Sequence, residues 1–379
     1  MTRARPTRDL RLDFFRGLAL FLIFIDHIPD NVVSYFTLHT IAFSDAAEAF
    51  IFISGFAAAL VYGRALRERG LLLTSAQAYR RVWQLYVAHV FLFVIFTAEV
   101  SYTLNAADNP MYAEEMRVGD FLSEPHIAIV QALLLRFQPT FLDILPLYIL
   151  LLAVFPLLLL LIERGLLWAL VPSAALYVAV RQFGWALHLY PDSRPWFFNP
   201  LAWQFLFVIG AMCGHLQSVG SRVLLEGRWF PALAWAVVAF CAIVNITWLI
   251  HWVYDPFPPL FAKALWRAAI DKTNLSPLRL LNFLALATVT SWAVPRDSAL
   301  LASRIARPIV LCGQNSLYIF CLGILLAVLG QFVLAEISDR LSIQLLVKCA
   351  GVAVMIGTAL IIAWYTSASR PAAAAGSAK

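Results

Sequence analysis

The chain has 379 residues, of which 62% are hydrophobic and only 13% are charged. Soluble domains carry about a quarter charged residues, and apolar runs recur along this chain, so the composition excludes a soluble globular protein and indicates a polytopic membrane protein. The net charge of +6 does not indicate a nucleic-acid-binding protein, because the basic residues are spread between the apolar runs instead of being clustered.

Hydropathy predicts an all-α integral membrane bundle of about ten transmembrane helices. The predicted spans are residues 13–33, 45–63, 82–103, 141–162, 166–183, 198–218, 231–253, 277–294, 308–334 and 341–366. We expect residues 1–366 to form a single transmembrane domain and the low-complexity residues 367–379 to form a disordered tail. Ten spans put both termini on one side. That side carries most of the Lys and Arg residues, so the positive-inside rule places both termini in the cytoplasm.

The five cysteines lie within or beside apolar runs, and none of them forms a Cys-x-x-Cys pair. Small buried thiols are therefore favoured over disulfides or metal ligands. The sequence also has no glycine-rich loop that would hold a nucleotide. We expect neither a metal site nor a permanently bound cofactor.

The first predicted span carries ionisable residues within its apolar sequence. His27 follows Arg16 by eleven positions, which is close to three full helical turns, so the two side chains share one helix face about 16 Å apart. Asp26 lies beside His27. Ionisable groups at such depth cost about 2.5–3.5 kcal/mol each, which makes them candidates for function. For Arg16 two structural alternatives stay open, because it could reach the cytoplasmic surface or pair with Asp13.

The second predicted span begins at the outer side with Asp45 and Glu48, at the predicted depth of His27. The span is rich in Ala and Gly, and small residues let membrane helices approach closely. A close pair of first helices would bring His27 within reach of a carboxylate, as a base with an orienting partner. We therefore predict His27, Asp26 and Glu48 as catalytic residues. The alternative is that a single histidine in a helical bundle is a structural, hydrogen-bonded residue.

The longest predicted connection, residues 104–140, contains the apolar stretch 127–137, which is too short to span a membrane. We expect an interfacial or re-entrant helix there. Asp143 begins the fourth span at the same outer level as Asp45. Both carboxylates are predicted to contribute to substrate binding.

Further candidates for substrate binding lie in the second half of the chain. Asn199, Trp203 and Gln204 lie near the outer end of the sixth span, where polar amides would satisfy a hydroxylated ligand or join neighbouring helices. Lys272 and Arg279 lie on the predicted outer side, against the charge rule. Either a span is miscounted or these cations serve an external anionic group. We favour the second interpretation because the remaining loops fit the rule.

Several stretches of the chain together resemble the OpgC family of osmoregulated periplasmic glucan modification, within the membrane acyltransferase-3 superfamily. They are RLDFFRGLALFLIFIDHIPDN (11–31), AAEAFIFISGFAAALVYG (46–63), LDILPLYILLL (142–152), NPLAWQFLFVIGA (199–211) and DKTNLSPLRLLNFLALA (271–287). The resemblance implies that Arg16 and His27 are the arginine and histidine of the superfamily's Arg-x10-His signature. A later stretch, GQNSLYIFCLG (313–323), has Cys321 where the superfamily has a histidine, so we assign it no catalytic role.

The resemblance implies an enzyme of the bacterial cytoplasmic (inner) membrane, an O-acyltransferase with an acyltransferase-3-like bundle. It would transfer a succinyl group from cytoplasmic succinyl-CoA to hydroxyls of periplasmic glucans, with His27 as the base and Arg16 binding the donor. The expected partners are membrane lipid, acyl-CoA as co-substrate and periplasmic glucan, with no nucleic acid, and a homodimer is left open. The alternative function is a transporter or flippase for a periplasmic glucan or another carbohydrate, because polar residues within a bundle also suit a translocation path.

Overall fold

The computed structural model describes residues 9–29, 31–107, 109, 111–221, 229–253 and 258–369. The α-helices in chain order are α1 (Leu10–Asp26), α2 (Leu38–Ile41), α3 (Ala46–Ala107), α4 (Met111–Glu115), α5 (Gly119–Ser123), α6 (Pro125–Leu133), α7 (Ile144–Arg164), α8 (Leu166–Phe183), α9 (Pro200–Ser218), α10 (Trp229–Val253), α11 (Lys263–Ala269), α12 (Pro277–Ala293), α13 (Ala299–Ala302), α14 (Ala306–Gln314), α15 (Ser316–Glu336) and α16 (Leu341–Ala368). A 3₁₀ helix covers Val32–Phe36. Within the described ranges, the one extended pairing is an isolated bridge between His188 and Pro195. The protein is all-α.

Six of the described helices are long and apolar enough to cross a membrane: α3, α7, α8, α10, α15 and α16. Helix α3 contains two of the predicted spans, and its helical geometry is interrupted between them at Gly70, whose φ of 78° suits a glycine. Helices α1, α9 and α12 coincide with other predicted spans but are not among the six. The chain is a polytopic membrane protein, and the count of ten spans stays a prediction.

Several predicted boundaries differ from the structure, among them the end of the first span, because α1 ends at Asp26 and not at residue 33. The predicted span 308–334 is broken at Asn315, whose side-chain amide donates a hydrogen bond to the carbonyl of Leu311 at 2.9 Å. Such a local bond competes with the continuation of a helix. At the end of the chain, α16 continues to Ala368, two residues past the predicted boundary. Residues 370–379 of the predicted tail lie outside the described residues.

The chain divides into two compact units. Unit 1 combines Met1–Val33 with Val294–Lys379, and unit 2 is Ser34–Ala293. The interpretation of residues 1–366 as a single transmembrane domain stays a prediction.

In unit 1, α1 packs tightly against α14. A methyl group on Gly17 would collide with the carbonyl of Ile309, and one on Gly313 would collide with the carbonyl of Asp13. The two backbones are therefore in direct contact, as small residues permit between membrane helices. Because α14 holds α1 at this distance, the face that carries Arg16 has a defined orientation within the unit.

In unit 2, α3 packs against α9 in the same manner. Gly55 lies against the carbonyl of Phe207, and Gly210 and Gly214 lie against carbonyls of α3. Gly55, in the small-residue segment of the second predicted span, thus lies directly against the backbone of α9. The predicted short helix in the 127–137 region is present as α6.

Candidate active site

Helix α1 presents Arg16 and His27 on one continuous helical segment. Its N-cap is Asp9, whose carboxylate accepts a hydrogen bond from the Arg11 amide at 3.2 Å, and the helix ends at Asp26. His27 follows as the C-terminal cap and keeps helical dihedrals (φ −84°, ψ −5°). Helical geometry is therefore continuous from Arg16 to His27, so the two residues share one helix face, as their eleven-position spacing predicts. Arg16, Asp26 and His27 are all half-buried.

The imidazole of His27 is oriented by its own helix. Its Nδ1 lies within hydrogen-bond distance of the carbonyl oxygen of Ile23, one turn earlier. A carbonyl oxygen can only accept, so Nδ1 carries the hydrogen, and in the neutral ring Nε2 is then the basic nitrogen. The backbone of α1 thereby fixes the tautomer that a general base requires. Sequence reasoning looked for a carboxylate in this role and missed the carbonyl, because no residue type signals a backbone acceptor.

The second charged region lies at the start of α3. Asp45 accepts a hydrogen bond from the Ala47 amide at 2.8 Å, and the Asp45 amide donates to Glu48 Oε2 at 2.8 Å. This reciprocal arrangement is a capping box with aspartate at the N-cap. It holds both predicted carboxylates at one helix end.

Arg279 of α12 joins these two carboxylates in the interior of unit 2. Its Nε donates to Glu48 Oε1 at 2.6 Å, and its second guanidinium nitrogen donates to Asp45 Oδ2 at 3.0 Å. Glu48 is 0% exposed and Arg279 is 5% exposed. Sequence reasoning named all three residues but did not predict that they pair. The sequence did contain a signal for this pairing, because residues of opposite charge occur in two separate apolar spans and buried charges need a partner.

Lys272 completes the cluster, which we define as Asp45, Glu48, Lys272 and Arg279. Its Nζ lies 2.7 Å from Asp45 Oδ2 and 5.3 Å from the ring centroid of Phe198, a cation–π distance. Burial alone would raise the pKa of Asp45, but Lys272 and Arg279 outweigh it and hold the pKa well below its ordinary value. The cluster is therefore a set of mutually neutralised charges.

Asp143, which precedes α7, is electrostatically linked to the same lysine. Burial raises its pKa to about 6, and the attraction of Lys272 only partly opposes that rise. Burial therefore favours the neutral form of this carboxyl.

Two of the three predicted polar residues of the sixth span form hydrogen bonds to the loop that carries Lys272. Asn199 is the N-cap of α9, and its side-chain amide donates to Asn274 Oδ1 at 2.9 Å. The Trp203 indole donates to the carbonyl of Lys272 at 2.9 Å. Gln204 instead joins α9 to α8, accepting from the Ser173 hydroxyl at 2.6 Å. These contacts match the helix-joining interpretation, and their predicted binding roles stay predictions.

A separate cavity of about 390 Å³ lies in unit 2 between the C-terminal half of α3 and helices α5 and α6. Its walls are apolar except for a few polar groups, including His89 and Thr97. Neither ring nitrogen of His89 has a hydrogen-bond partner among the described residues. None of the predicted site residues lines this cavity.

Comparison with known proteins identifies a family. The family model described as OpgC protein matches residues 8–367, which is almost the whole chain. No curated protein and no solved structure matches the chain.

Proposed function

Because this chain belongs to the OpgC family, which implies a transferase, we propose that it is a membrane-bound O-acyltransferase. In this proposal it transfers a succinyl group from cytoplasmic succinyl-CoA to hydroxyl groups of periplasmic glucans. It lies in the bacterial inner membrane with both termini in the cytoplasm. The hydrogen bond that directs His27 Nδ1 to the carbonyl of Ile23 is the observation that supports the proposal most strongly.

The reaction needs a base because a sugar hydroxyl is a poor nucleophile at neutral pH. In the proposed first step His27 Nε2 takes the hydroxyl proton while the oxygen forms a bond to the thioester carbonyl carbon. The tetrahedral intermediate then collapses, its carbon–sulfur bond breaks, and the imidazolium returns the proton to the leaving thiolate. The products are the glucan ester and free CoA. Asp26 and Glu48 keep their predicted supporting roles as part of the proposal.

Arg16 is proposed to bind the donor. It lies on the His27 face of α1, roughly 16 Å away along the helix axis, and a guanidinium binds phosphate oxygens through paired hydrogen bonds. The side chains between them, Leu20 and Ile23, are buried and apolar. In this proposal an extended pantetheine arm displaces the side chains that pack on this face and then lies along it, with its phosphates at Arg16 and its thioester at His27.

Replacement of His27 tests the proposal. Purified His27→Ala in proteoliposomes, supplied with succinyl-CoA and glucan, is expected to lose about 10²–10⁴-fold in acyl transfer, measured by mass spectrometry of the glucan. His126→Ala is the matched control, because His126 is an exposed histidine of α6. Transfer at the normal rate by folded His27→Ala would contradict the catalytic assignment.

The same variant separates an acyltransferase from a glucan transporter or flippase. An inactive acyltransferase leaves glucan in the outer compartment without succinyl groups. An inactive transporter leaves the outer compartment without glucan. Fractionation of cells that carry His27→Ala therefore distinguishes the two functions.

A further inference from the structure

Unit 1 contains a buried cation that has no counter-charge among the residues described. Lys348 of α16 is only 3% exposed, and its Nζ has no hydrogen-bond partner. An ammonium group in a membrane interior is costly even on insertion scales. Buried charges are normally paired. A lysine kept in this state is therefore expected to meet an anion that the protein itself does not supply.

The contacts of α16 place Lys348 next to the end of α1. One turn before Lys348, Gln344 Oε1 accepts a hydrogen bond from the Val32 amide at 2.8 Å. Three residues after it, Gly351 lies against the ring of Phe24. Positions i−4, i and i+3 of a helix share one face. Lys348 therefore faces the part of the chain between Phe24 and Val32, which contains His27.

A third contact, made by α15, also places Lys348 beside the end of α1. Gly330 lies against the side chains of both Ile28 and Val347. Ile28 follows His27 directly, and Val347 precedes Lys348 directly. The buried face of α16 continues through Gly351 and Met355, so Lys348 belongs to the interior of the unit.

We propose that Lys348 binds the free carboxylate of a dicarboxylic acyl group during transfer. This inference rests on the proposed acyltransferase function. A succinyl group carries its carboxylate two methylene groups from the thioester carbonyl, so a cation that binds it must lie at the level of the base. The carboxylate and the ammonium each lose water in this environment, and their pairing offsets both losses.

The cations predicted from the sequence are less suited to this role. Both neighbouring carboxylates bind Arg279, and Lys272 is paired with Asp45. Their charge is already neutralised, so an added carboxylate would compete with Asp45 or Glu48. Lys348 has no such competitor among its described neighbours.

A donor-selectivity experiment tests the proposal. The full-length protein in proteoliposomes receives glucan and either succinyl-CoA or butyryl-CoA, which has the same four-carbon chain without the carboxylate. Wild type is expected to prefer succinyl-CoA. Lys348→Met should lower the ratio of succinyl to butyryl transfer by roughly 10²-fold, the scale seen when one partner of a buried charge pair is removed. Lys348→Arg keeps the positive charge and should retain part of the preference.

Arg340→Gln is the matched control, because it removes an exposed cation at the N-terminus of the same helix. Its donor ratio should equal that of wild type. An unchanged ratio in active Lys348→Met would overturn the proposal, and so would a collapse of the ratio in Lys272→Met alone. A merely structural role for Lys348 would lower both transfers equally and would also overturn it.

Failure of the proposed function would give a different experimental result from failure of the Lys348 proposal. If wild type transfers neither acyl group, the acyltransferase assignment fails. A donor-binding measurement then tests whether Lys348 binds the carboxylate. Thermal stabilisation of wild type by succinyl-CoA beyond that by butyryl-CoA, abolished in Lys348→Met, would support the carboxylate site. Equal stabilisation of wild type by the two donors would overturn it.

Discussion

The two charged regions of this protein differ in how their charges are balanced. In unit 2, Asp45, Glu48, Lys272 and Arg279 form a closed cluster in which every charge has an opposite partner within 3.0 Å. In unit 1, Lys348 is buried without an ion pair among the described residues. Balanced buried charges connect helices to one another, whereas an unbalanced charge is available to a substrate. We therefore expect substitutions in the cluster to lower stability and substitution of Lys348 to change donor binding.

The largest expected effect comes from breaking the balanced cluster. Arg279→Met leaves Glu48 buried and without its cation, which should cost about 3–5 kcal/mol of folding stability. Thermal unfolding of the purified protein in detergent measures this loss. The same experiment on Lys348→Met should show no loss, because the substitution removes a charge that has no protein partner.

A double variant sharpens this result. Glu48→Gln combined with Arg279→Met removes both charges, and the carbonyl of the introduced glutamine can still accept from the Asp45 amide. The stability should return close to that of wild type. Its acyltransfer activity then tests the catalytic prediction for Glu48 separately from folding. Full activity in the stable double variant would contradict a role of this carboxylate in orienting His27.

Asp45 gives a smaller effect with a defined pH dependence. Asp45→Asn keeps a good N-cap residue for α3 but removes the anionic partner of Lys272, at a cost of about 1.5–3 kcal/mol. The folded pKa of Asp45 lies below its ordinary value of 3.8. Its stabilising contribution is therefore complete above that value and declines as the pH falls further. Wild type should lose this increment of stability in acid, whereas unfolding of Asp45→Asn should show no such step.

Asp143 gives the smallest effect, with the opposite sign. Burial raises its folded pKa from 3.8 to about 6, so the protonated form is favoured in the folded state. Its contribution to stability is complete below pH 3.8 and declines as the pH rises through 6. Asp143→Asn should flatten this part of the stability profile by about 1 kcal/mol. An unchanged profile would show that Asp143 is ionised at neutral pH as in water.

How well the sequence predicts a structural feature depends on how far apart in the chain the interacting residues lie. The phase of Arg16 and His27 on α1 depends only on local helix geometry, so spacing was sufficient to predict it. The break at Asn315 also has a local cause, but an asparagine within a long apolar run does not by itself signal a broken helix. The pairing of Glu48 with Arg279 depends on helices more than 200 positions apart in the chain.

Sequence alone determined that this is an all-α membrane protein, which family it resembles and which face of its first helix carries the ionisable groups. Composition and periodicity carry this information because burial in lipid acts on each span separately. Only the tertiary structure decided which charges are neutralised. It paired Arg279 with Glu48 and Asp45 and left Lys348 facing the end of α1. Partner choice depends on packing between distant helices, and no single span contains that information.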